Sequence, residues 1–274
     1  MINQKELSII IVNYNGARYL EACLDSIKEC CEGIDYETII VDNNSSDDSL
    51  EILKRKYAEE VCLIESNENL GFAGGNNLAV SKSKGRYILL LNNDTILLDE
   101  LEPLIKLIGD NEIGAIGIKM LGKQREYRKS VGRFPSAFNL IKLSRLYYSS
   151  YPFNSGDFDK DSYTVDWIEG SFLLTRKQLW DKVGGLDDTF FMYGEDLDYC
   201  KKVSSQLKKC IYYTKCSYIH FGGYNVGRQK LLKKGLVKYL NKHTKGLGKL
   251  LARVSLEINF ALKNGKKLFT KATS

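Results

Sequence analysis

The stretch from Leu7 to Asp47, LSIIIVNYNGARYLEACLDSIKECCEGIDYETIIVDNNSSD, alternates between two apolar patterns. It begins with a β-branched run, Leu7–Val12, of the kind found in buried strands. Apolar residues then recur at helical spacing from Leu20 to Ile27, and a second apolar run follows at Thr38–Val41. Strand, helix and strand in this order predict two parallel strands joined by a crossover helix.

The alternation continues through two further apolar runs, Val61–Ile64 and Tyr87–Leu91. Helical positions at Leu50, Leu53 and Tyr57 lie before the third run, and a short helix is expected before the fourth. This order predicts an α/β fold with a mostly parallel, Rossmann-like central sheet flanked by helices. In such sheets ligands bind beyond the carboxyl ends of the strands.

Each of the four predicted strands ends in a polar or glycine-rich cluster. The clusters are Asn13–Gly16, Asp42–Asp47, Asn69–Asn77 and Asn92–Thr95. Each one alone is also a good turn sequence, but the opposite strand ends are not similarly rich, so we expect the four to line one crevice. Asp42 occupies the place where nucleotide-binding sheets put a partner for a ribose hydroxyl. No Gly-x-Gly-x-x-Gly follows the first strand, so a dinucleotide-dependent dehydrogenase is not predicted.

The charge of the 274-residue chain is divided unequally. Residues 225–274 contain 13 of the 40 Lys and Arg residues but only one of the 34 acids, so this tail carries +12 and the remainder −6. We therefore divide the chain into an α/β domain, 1–224, and a basic helical tail, 225–274. A basic tail predicts an anionic partner, a membrane or a nucleic acid. Because the body is acidic, we do not expect nucleic acid.

The tail also has an apolar stripe at helical spacing. Its members are Leu247, Leu250, Leu251, Val254 and Ile258. A basic amphipathic helix of this kind lies in a membrane interface, and this is the interpretation that we favour. The alternative is that the stripe packs on the preceding domain. His243 stands among lysines, and we expect it to be solvated.

Cysteine usage and the N-terminus predict the compartment. The seven cysteines have no Cys-x-x-Cys spacing, so neither a zinc site nor a disulfide framework is indicated. No signal peptide is visible at the N-terminus, and no apolar run reaches the roughly 18 residues of a membrane span. These features predict a cytoplasmic protein with reduced thiols. The basic amphipathic tail adds the expectation that the protein is attached peripherally to the inner face of the cell membrane.

Eight motifs, taken together, resemble the inverting glycosyltransferases of family 2, which have the GT-A fold. They are SIIIVNYNG (8–16), VDNNSSD (41–47), NLGFAGGNN (69–77), LLLNND (89–94), WIEGSF (167–172), GGLD (184–187), FFMYGEDLD (190–198) and HFGG (220–223). The set is most similar to rhamnosyltransferase-like enzymes of bacterial cell-surface glycan synthesis. The resemblance implies transfer of a sugar from a nucleotide diphosphate donor to a hydroxyl of a glycan or lipid-linked acceptor. Deoxythymidine-diphosphate (dTDP) rhamnose is the first expectation for the donor, and a uridine-diphosphate sugar is the second.

The resemblance also implies the residues of the donor site. Asn13 and Asp42 match the positions that hold the base and the ribose. Further nucleotide-sugar contacts are implied for Asn15, Asn69, Gly71, Asn76 and Asn93. Contacts with the sugar or the acceptor are implied for Trp167, Glu169, Tyr193 and Glu195. A plain turn or a surface role is the competing interpretation for each position.

Asp94 and His220 match the metal ligands of the family, for Mg²⁺ or Mn²⁺. Asn92-Asn93-Asp94 stands where Asp-x-Asp is usual, so one carboxylate remains. A histidine followed by two glycines is also compatible with a simple hydrogen-bonded role. The downstream serine of the family is replaced by Asn225, which weakens that position as a diphosphate contact.

Asp196 matches the catalytic base of the family. Within Glu195–Asp198 it falls in the first turn of a predicted helix, where ionised acids are also favoured for purely structural reasons. The aromatic run Phe190–Tyr193 favours a sugar site, because aromatic rings pack on sugars. A non-catalytic nucleotide-sugar-binding module is the alternative, and it would be expected to lack Asp94 or Asp196. Residues 121–165 show no clear period and are expected to shape the acceptor pocket or to form a surface excursion.

Overall fold

A computed structural model describes residues 4–222 and 228–272, with residues 264–272 described by their backbone alone. The strands are β1 (Lys5–Asn13), β2 (Tyr36–Asp42), β3 (Val61–Glu65), β4 (Gly85–Leu91), β5 (Thr95–Leu97), β6 (Ile113–Leu121), β7 (Tyr127–Arg128), β8 (Val131–Gly132), β9 (Ser162–Val165), β10 (Trp167–Ile168), β11 (Phe172–Arg176) and β12 (Lys209–His220). The helices are α1 (Ala17–Cys30), α2 (Ser49–Lys56), α3 (Gly71–Lys82), α4 (Glu102–Ile108), α5 (Ala137–Leu140), α6 (Tyr151–Ser155), α7 (Lys177–Val183), α8 (Glu195–Ser205), α9 (Arg228–His243) and α10 (Gly246–Ala272), with one 3₁₀ turn at Leu143–Leu146.

The main sheet confirms the predicted α/β fold. Its strands lie in the order β3-β2-β1-β4-β11-β6-β12-β5. β3, β2, β1 and β4 are parallel, and β6 is parallel to β12. β11 runs antiparallel between β4 and β6, and β5 runs antiparallel to β12. The four strands predicted from apolar runs are therefore the parallel half of a mostly parallel sheet.

The sheet is buried on both faces, which explains its continuous apolar strands. In β1, Ile10 belongs to one buried cluster and its neighbours Ile9 and Ile11 belong to the other. Successive side chains of a strand point to opposite faces, so both faces of β1 lie under helices. A strand that is covered on both faces has no reason to alternate apolar with polar residues.

The glycine-rich segment Asn69–Asn77 departs from its predicted form. It was expected to be a loop before a short helix, but α3 begins at Gly71 and includes most of the segment. A Cβ on Gly75 would lie 2.9 Å from both methyl carbons of Val12. The missing side chain therefore lets α3 pack closely on β1, and this packing is the physical reason for the difference.

The two C-terminal helices pack on the rest of the protein. Leu236 and Leu240 of α9 are buried, and α10 packs against α5 through Leu256 and Phe260. The Asn259 Nδ2 donates a hydrogen bond of 2.8 Å to the carbonyl oxygen of Ile141. The predicted boundary at 224/225 lies outside the described residues, as does Asn225. None of the described helices is long and apolar enough to cross a bilayer.

His243 is not solvated, contrary to the prediction. Its Nε2 lies 2.6 Å from Oδ1 of Asp198, and that carboxylate is completely buried. Lys242 Nζ is 2.8 Å from the same oxygen. These partners are 44 and 45 residues from Asp198 in sequence, so only the packing of α9 beside α8 brings them together.

Candidate functional site

Three polar strand ends meet at the carboxyl edge of the parallel strands. The register of β1 and β2 places Asn13 opposite Asp42. Asn13 Nδ2 donates to Asp42 Oδ1 at 2.8 Å, and Asn93 Nδ2 donates to Asn13 Oδ1 at 2.7 Å. A Cβ on Gly16 would lie 2.0 Å from Asn93 Nδ2, so the network requires glycine at that position. Asn13, Asp42 and Asn93, three of the implied nucleotide contacts, therefore form one hydrogen-bonded group.

A loop hydroxyl and Asn15 extend this group toward solvent. The Ser45 Oγ donates to Asp42 Oδ1 at 2.6 Å, and the Ser45 N–H donates to Asp42 Oδ2 at 2.9 Å. Asn15 is exposed and accepts a hydrogen bond of 2.7 Å from the Ser46 N–H. Asn13 and Asp42 are buried, so they form the floor of this part of the cleft and Asn15 lies at its edge.

Asn69 and Gly71 lie at the start of α3, where Asn43 holds them. Asn43 Nδ2 donates to the Gly71 carbonyl at 3.0 Å and to Asn69 Oδ1 at 3.3 Å. Asn69 Oδ1 also accepts from the Gly71 N–H at 2.9 Å. Asn76 is different, because it is buried and its amide donates to the Phe72 carbonyl one turn earlier in the same helix. The amide nitrogen of Asn76 is therefore used within α3 itself.

Asp94 and His220 lie together at the adjoining strand ends. β12 pairs with β5 so that His220 is opposite Thr95, directly after Asp94. His220 Nε2 is 3.2 Å from Asp94 Oδ1 and 3.3 Å from Asn92 Nδ2. Burial alone would lower the pKa of His220, but the hydrogen bond and charge of Asp94 raise it above the usual value. The imidazole and the carboxylate are thus an electrostatically coupled pair.

This pair fits one side of a divalent-cation site. Adjacent ligands of an octahedral ion with bonds of about 2.1 Å are about 3 Å apart, close to the separation of Asp94 Oδ1 and His220 Nε2. Carboxylate and imidazole both suit Mn²⁺, and the carboxylate also suits Mg²⁺. Within residues 4–222 and 228–272 no group of three or more His, Cys, Asp or Glu side chains is arranged to hold a metal. The other positions of a bound ion would therefore have to come from the donor diphosphate and water.

Glu169 lies between the histidine and the predicted base. Its Oε1 is 3.9 Å from His220 Nδ1. Burial raises the pKa of Glu169, the charge of His220 opposes this shift, and the charges of Asp196 and Asp94 add to it. Glu169 is therefore near enough to Asp94, His220 and Asp196 for the charge of each to affect its pKa.

Asp196 lies in the first turn of α8, as its sequence position predicts. Its Oδ1 accepts from the Leu197 N–H at 2.7 Å and its Oδ2 from the Gly170 N–H at 3.3 Å. Burial raises the pKa of Asp196, and these backbone hydrogen bonds lower it in part. A carboxylate held by two N–H donors remains able to accept a proton from a nearby hydroxyl.

Glu195 is buried beside this base. Burial, with the charge of Asp196, raises the pKa of Glu195 to about 8. Its Oε2 has no hydrogen-bond partner among the described residues. Burial and the neighbouring charge thus favour the protonated form of Glu195, and of these two neighbouring acids Asp196, which accepts two backbone N–H hydrogen bonds, is the better candidate for a base.

The two aromatic residues implied at the sugar end have different settings. Trp167 is buried, and its indole N–H donates to the Arg133 carbonyl at 3.0 Å, so it belongs to the core below the cleft. Tyr193 is partly exposed and lies directly before Gly194 and α8. Tyr193 therefore lies next to the N-terminus of α8, whereas Trp167 is a core residue.

Sequence reasoning missed three residues of this site. Asn43 and Ser45 were part of the cluster after β2, but which of its polar residues would face Asn13 or α3 depends on the loop conformation. Tyr147 packs its ring edge-on against Trp167 at a centroid distance of 5.4 Å, and burial, with the charges of Glu169 and Asp196, raises the pKa of its hydroxyl. Tyr147 comes from a region without periodicity, so no signal in the sequence marked it.

Comparison with known proteins agrees with this arrangement. The sequence profile of Glycosyl transferase family 2 matches residues 8–193. The chain is 28% identical over 208 residues to Rhamnosyltransferase WbbL of Escherichia coli K12, a match that covers 72% of this chain and 76% of WbbL. It is 25% identical over 200 residues to the low-salt glycan biosynthesis hexosyltransferase Agl10 of Haloferax volcanii, covering 71% of this chain and 60% of Agl10.

A solved structure supports the fold. The mannosyltransferase PcManGT from Pyrobaculum calidifontis, in complex with GDP-Man and Mn²⁺, aligns with a TM-score of 0.62 and 16% identity, covering 99% of this chain and 81% of that one. The likeness in fold confirms the GT-A architecture that the motifs imply. Because the profile spans more than half of the chain and includes the strand ends of the cleft, this protein belongs to glycosyl transferase family 2.

Proposed function

We propose that the protein is an inverting glycosyltransferase that moves a sugar from a nucleotide diphosphate donor to a hydroxyl of a surface glycan or its lipid-linked precursor. One observation carries this proposal: three groups suited to this reaction lie at the carboxyl edge of the sheet. They are Asn13 and Asp42, which would bind the nucleoside, the pair Asp94–His220, and the carboxylate of Asp196. The relatives WbbL and Agl10, a rhamnosyltransferase and a hexosyltransferase of glycan synthesis, support a hexose or deoxyhexose donor.

The proposed chemistry assigns a task to each group. Asp196 takes the proton of the acceptor hydroxyl as its oxygen attacks the anomeric carbon. The bond between that carbon and the diphosphate oxygen breaks on the opposite face, so direct displacement inverts the configuration. Asp94 and His220 would hold Mg²⁺ or Mn²⁺, which neutralises charge on the leaving diphosphate when bound. Asn13 and Asp42 would orient the nucleoside, and Glu169 and Tyr193 would meet the sugar or the acceptor.

Donor binding tests the proposal through the melting temperature. We expect dTDP-rhamnose with Mn²⁺ or Mg²⁺ to raise the melting temperature by ~5–10 °C at a concentration a hundred times its dissociation constant, because a bound ligand stabilises the folded state. UDP-glucose and GDP-mannose should give smaller shifts. Free rhamnose, the control, should give none, since the proposed contacts of Asn13 and Asp42 are with the nucleoside. A chain that responds to no nucleotide sugar would contradict the donor assignment.

We also propose that α10 attaches the enzyme to an anionic membrane surface. The predicted stripe does not pack on the catalytic domain: Leu247, Leu250, Leu251, Val254 and Ile258 are between 42% and 70% exposed. A different set, Ala252, Leu256 and Phe260, is buried on the opposite side of the helix. The stripe is therefore free while α10 remains docked. α10 packs against α5, and exposed Phe138 of α5 and Ile141 directly after it enlarge the apolar surface. The lysines of α9 and α10 favour anionic lipid.

Vesicle co-sedimentation distinguishes this surface from a plain exposed face. Full-length protein should sediment with anionic vesicles, dissociate at high salt and bind neutral vesicles weakly, since each Lys or Arg near the surface contributes about 1 kcal/mol. A variant with Leu250→Glu, Val254→Glu and Ile258→Glu should lose binding and keep its melting temperature. The matched control is Leu207→Glu, which changes an exposed leucine at the end of α8. Binding that survives the triple substitution would contradict the proposal.

A further inference from the structure

Helix α9 lies against the segment that leads into Asp196, and one glycine makes the contact possible. The segment is Phe190–Gly194, here called the approach loop, and Gly194 caps α8. A Cβ on Gly235 of α9 would lie 1.8 Å from the carbonyl oxygen of Tyr193. Glycine in the middle of a helix is unfavourable, so its presence here is explained by this close approach of two backbones.

The approach loop has a strained conformation that needs such support. Tyr193 has a φ of 70°, in the left-handed region that bulky residues rarely adopt, and Gly194 follows with a φ of 107°. A backbone of this kind persists only when its surroundings determine it. On the side of α3, the Phe72 N–H donates to the Phe191 carbonyl at 2.9 Å. The loop is therefore held between α3 and α9.

Side chains of α9 extend the contact along the whole loop. The Arg228 guanidinium carbon lies 5.8 Å from the centroid of the Tyr193 ring, and Lys238 Nζ lies 5.6 Å from that of Phe190. These residues are seven and three positions from Gly235, so all three fall on one face of α9. That face covers the approach loop from Phe190 to Tyr193.

The end of α9 binds the catalytic helix itself. Lys242 Nζ and His243 Nε2 are 2.8 and 2.6 Å from Oδ1 of Asp198, two residues beyond Asp196 in the first turn of α8. The Asp198 side chain has no exposed surface, and Lys202 Nζ approaches it to 3.5 Å. Truncating one partner of such a buried ion pair is disruptive, so this cluster fixes the start of α8.

We propose that α9 positions the carboxylate of Asp196, through Gly235 on the approach loop and through Lys242 and His243 on Asp198. The inference rests on the proposed role of Asp196 as the base. Gly235, Lys242 and His243 are positioning residues that act through the loop and through α8. A displacement of about 1 Å at a reacting group lowers the rate by roughly 10²-fold, so small shifts of α9 become visible in turnover.

The experiment compares Gly235→Ala with a matched glycine substitution, Gly248→Ala, where an added Cβ has no neighbour within 4 Å. Turnover is measured as nucleoside diphosphate release from dTDP-rhamnose and UDP-glucose with water as the acceptor of the sugar, and binding is measured with dTDP and UDP in the presence of Mn²⁺. Gly235→Ala should lower kcat by roughly 10²-fold and leave nucleoside diphosphate binding intact. Gly248→Ala should match the wild type. A purely structural role would lower the melting temperature, nucleotide binding and kcat together, and that result would overturn the proposal.

A second pair of variants, on lysines of α9, tests the proposal if Gly235→Ala does not fold. Lys242→Met removes one partner of Asp198, and Lys234→Met changes an exposed lysine of the same helix. Lys242→Met should lower kcat at unchanged nucleoside diphosphate binding, and Lys234→Met should not. Full turnover in Asp196→Asn would instead refute the proposed role of Asp196 as the base, on which this inference rests. If Asp196→Asn is inactive while folded Gly235→Ala and Lys242→Met have wild-type kcat, only the role of α9 is refuted.

Discussion

Asp196→Asn lowers turnover by roughly 10²–10⁴-fold and leaves donor binding intact, if Asp196 is the general base. Asparagine has nearly the same shape, and its single amide oxygen can still accept the 2.7 Å hydrogen bond from the Leu197 N–H in the first turn of α8. Only the longer hydrogen bond from the Gly170 N–H is lost, because an amide nitrogen cannot accept it. Asparagine cannot take a proton from an acceptor hydroxyl. Turnover and nucleotide binding, measured side by side, separate the loss of a base from the loss of a site.

The pH profile gives this prediction a second measurement. Burial raises the pKa of Asp196 above the usual range, and the base works only when ionised. The rate should therefore fall as the pH is lowered through this raised pKa, at a higher pH than the ~3.9 of an ordinary aspartate. The acid limb should disappear in Asp196→Asn.

An exposed acid provides the control for Asp196. Asp181 lies on α7 in a solvent-exposed ion pair with Lys177, and Asp181→Asn should behave as the wild type. Near-normal turnover in Asp196→Asn would exclude Asp196 as the base.

The sequence patterns predicted the parallel half of the fold well because its determinants are local. The apolar runs Leu7–Val12 and Tyr87–Leu91 lie within β1 and β4, since a strand buried on both faces shows in its own composition. Residues 121–165 gave no such signal. They form short elements, such as β9 and α6, in which Phe153 packs against Tyr163 and Tyr212. Such aromatic packing depends on tertiary contacts and leaves no period in the sequence.

Among the polar residues, too, contacts set by local sequence could be predicted and contacts that depend on tertiary packing could not. That Asp42 and Asn13 lie together followed from their positions at the ends of neighbouring parallel strands. That His243 binds Asp198 did not follow, because the pair spans 45 residues and depends on how α9 packs. Composition predicted a solvated histidine, since a run of lysines usually lies at the surface. In the structure His243 instead packs against α8, where it contacts the buried carboxylate of Asp198.

Asp94→Ala should abolish the metal-dependent part of donor binding and reduce turnover by roughly 10²–10³-fold. The reason is that a bound divalent ion stabilises the negative charge on the departing diphosphate in the transition state by several kcal/mol. Only one carboxylate stands where the family usually has two, so no second acid can replace Asp94 in that motif. His220→Ala should weaken the same binding less, or change the preference between Mn²⁺ and Mg²⁺, since Asp94 would still hold the ion by its carboxylate after the imidazole 3.2 Å away is removed.

Calorimetry of dTDP and UDP binding, with Mn²⁺, with Mg²⁺ and with a strong chelator, checks this prediction. The wild type should bind the nucleotides weakly in chelator, and Asp94→Ala should give that weak binding under all three conditions. Asp35→Ala removes an exposed carboxylate that pairs with Lys5, and it should retain the full metal effect. Since Asp94 is buried, the melting temperature of each variant must show that it is folded. Unchanged activity of the wild type in chelator would exclude the metal role of Asp94 and His220 together, because both assignments depend on an ion bridging the protein and the diphosphate.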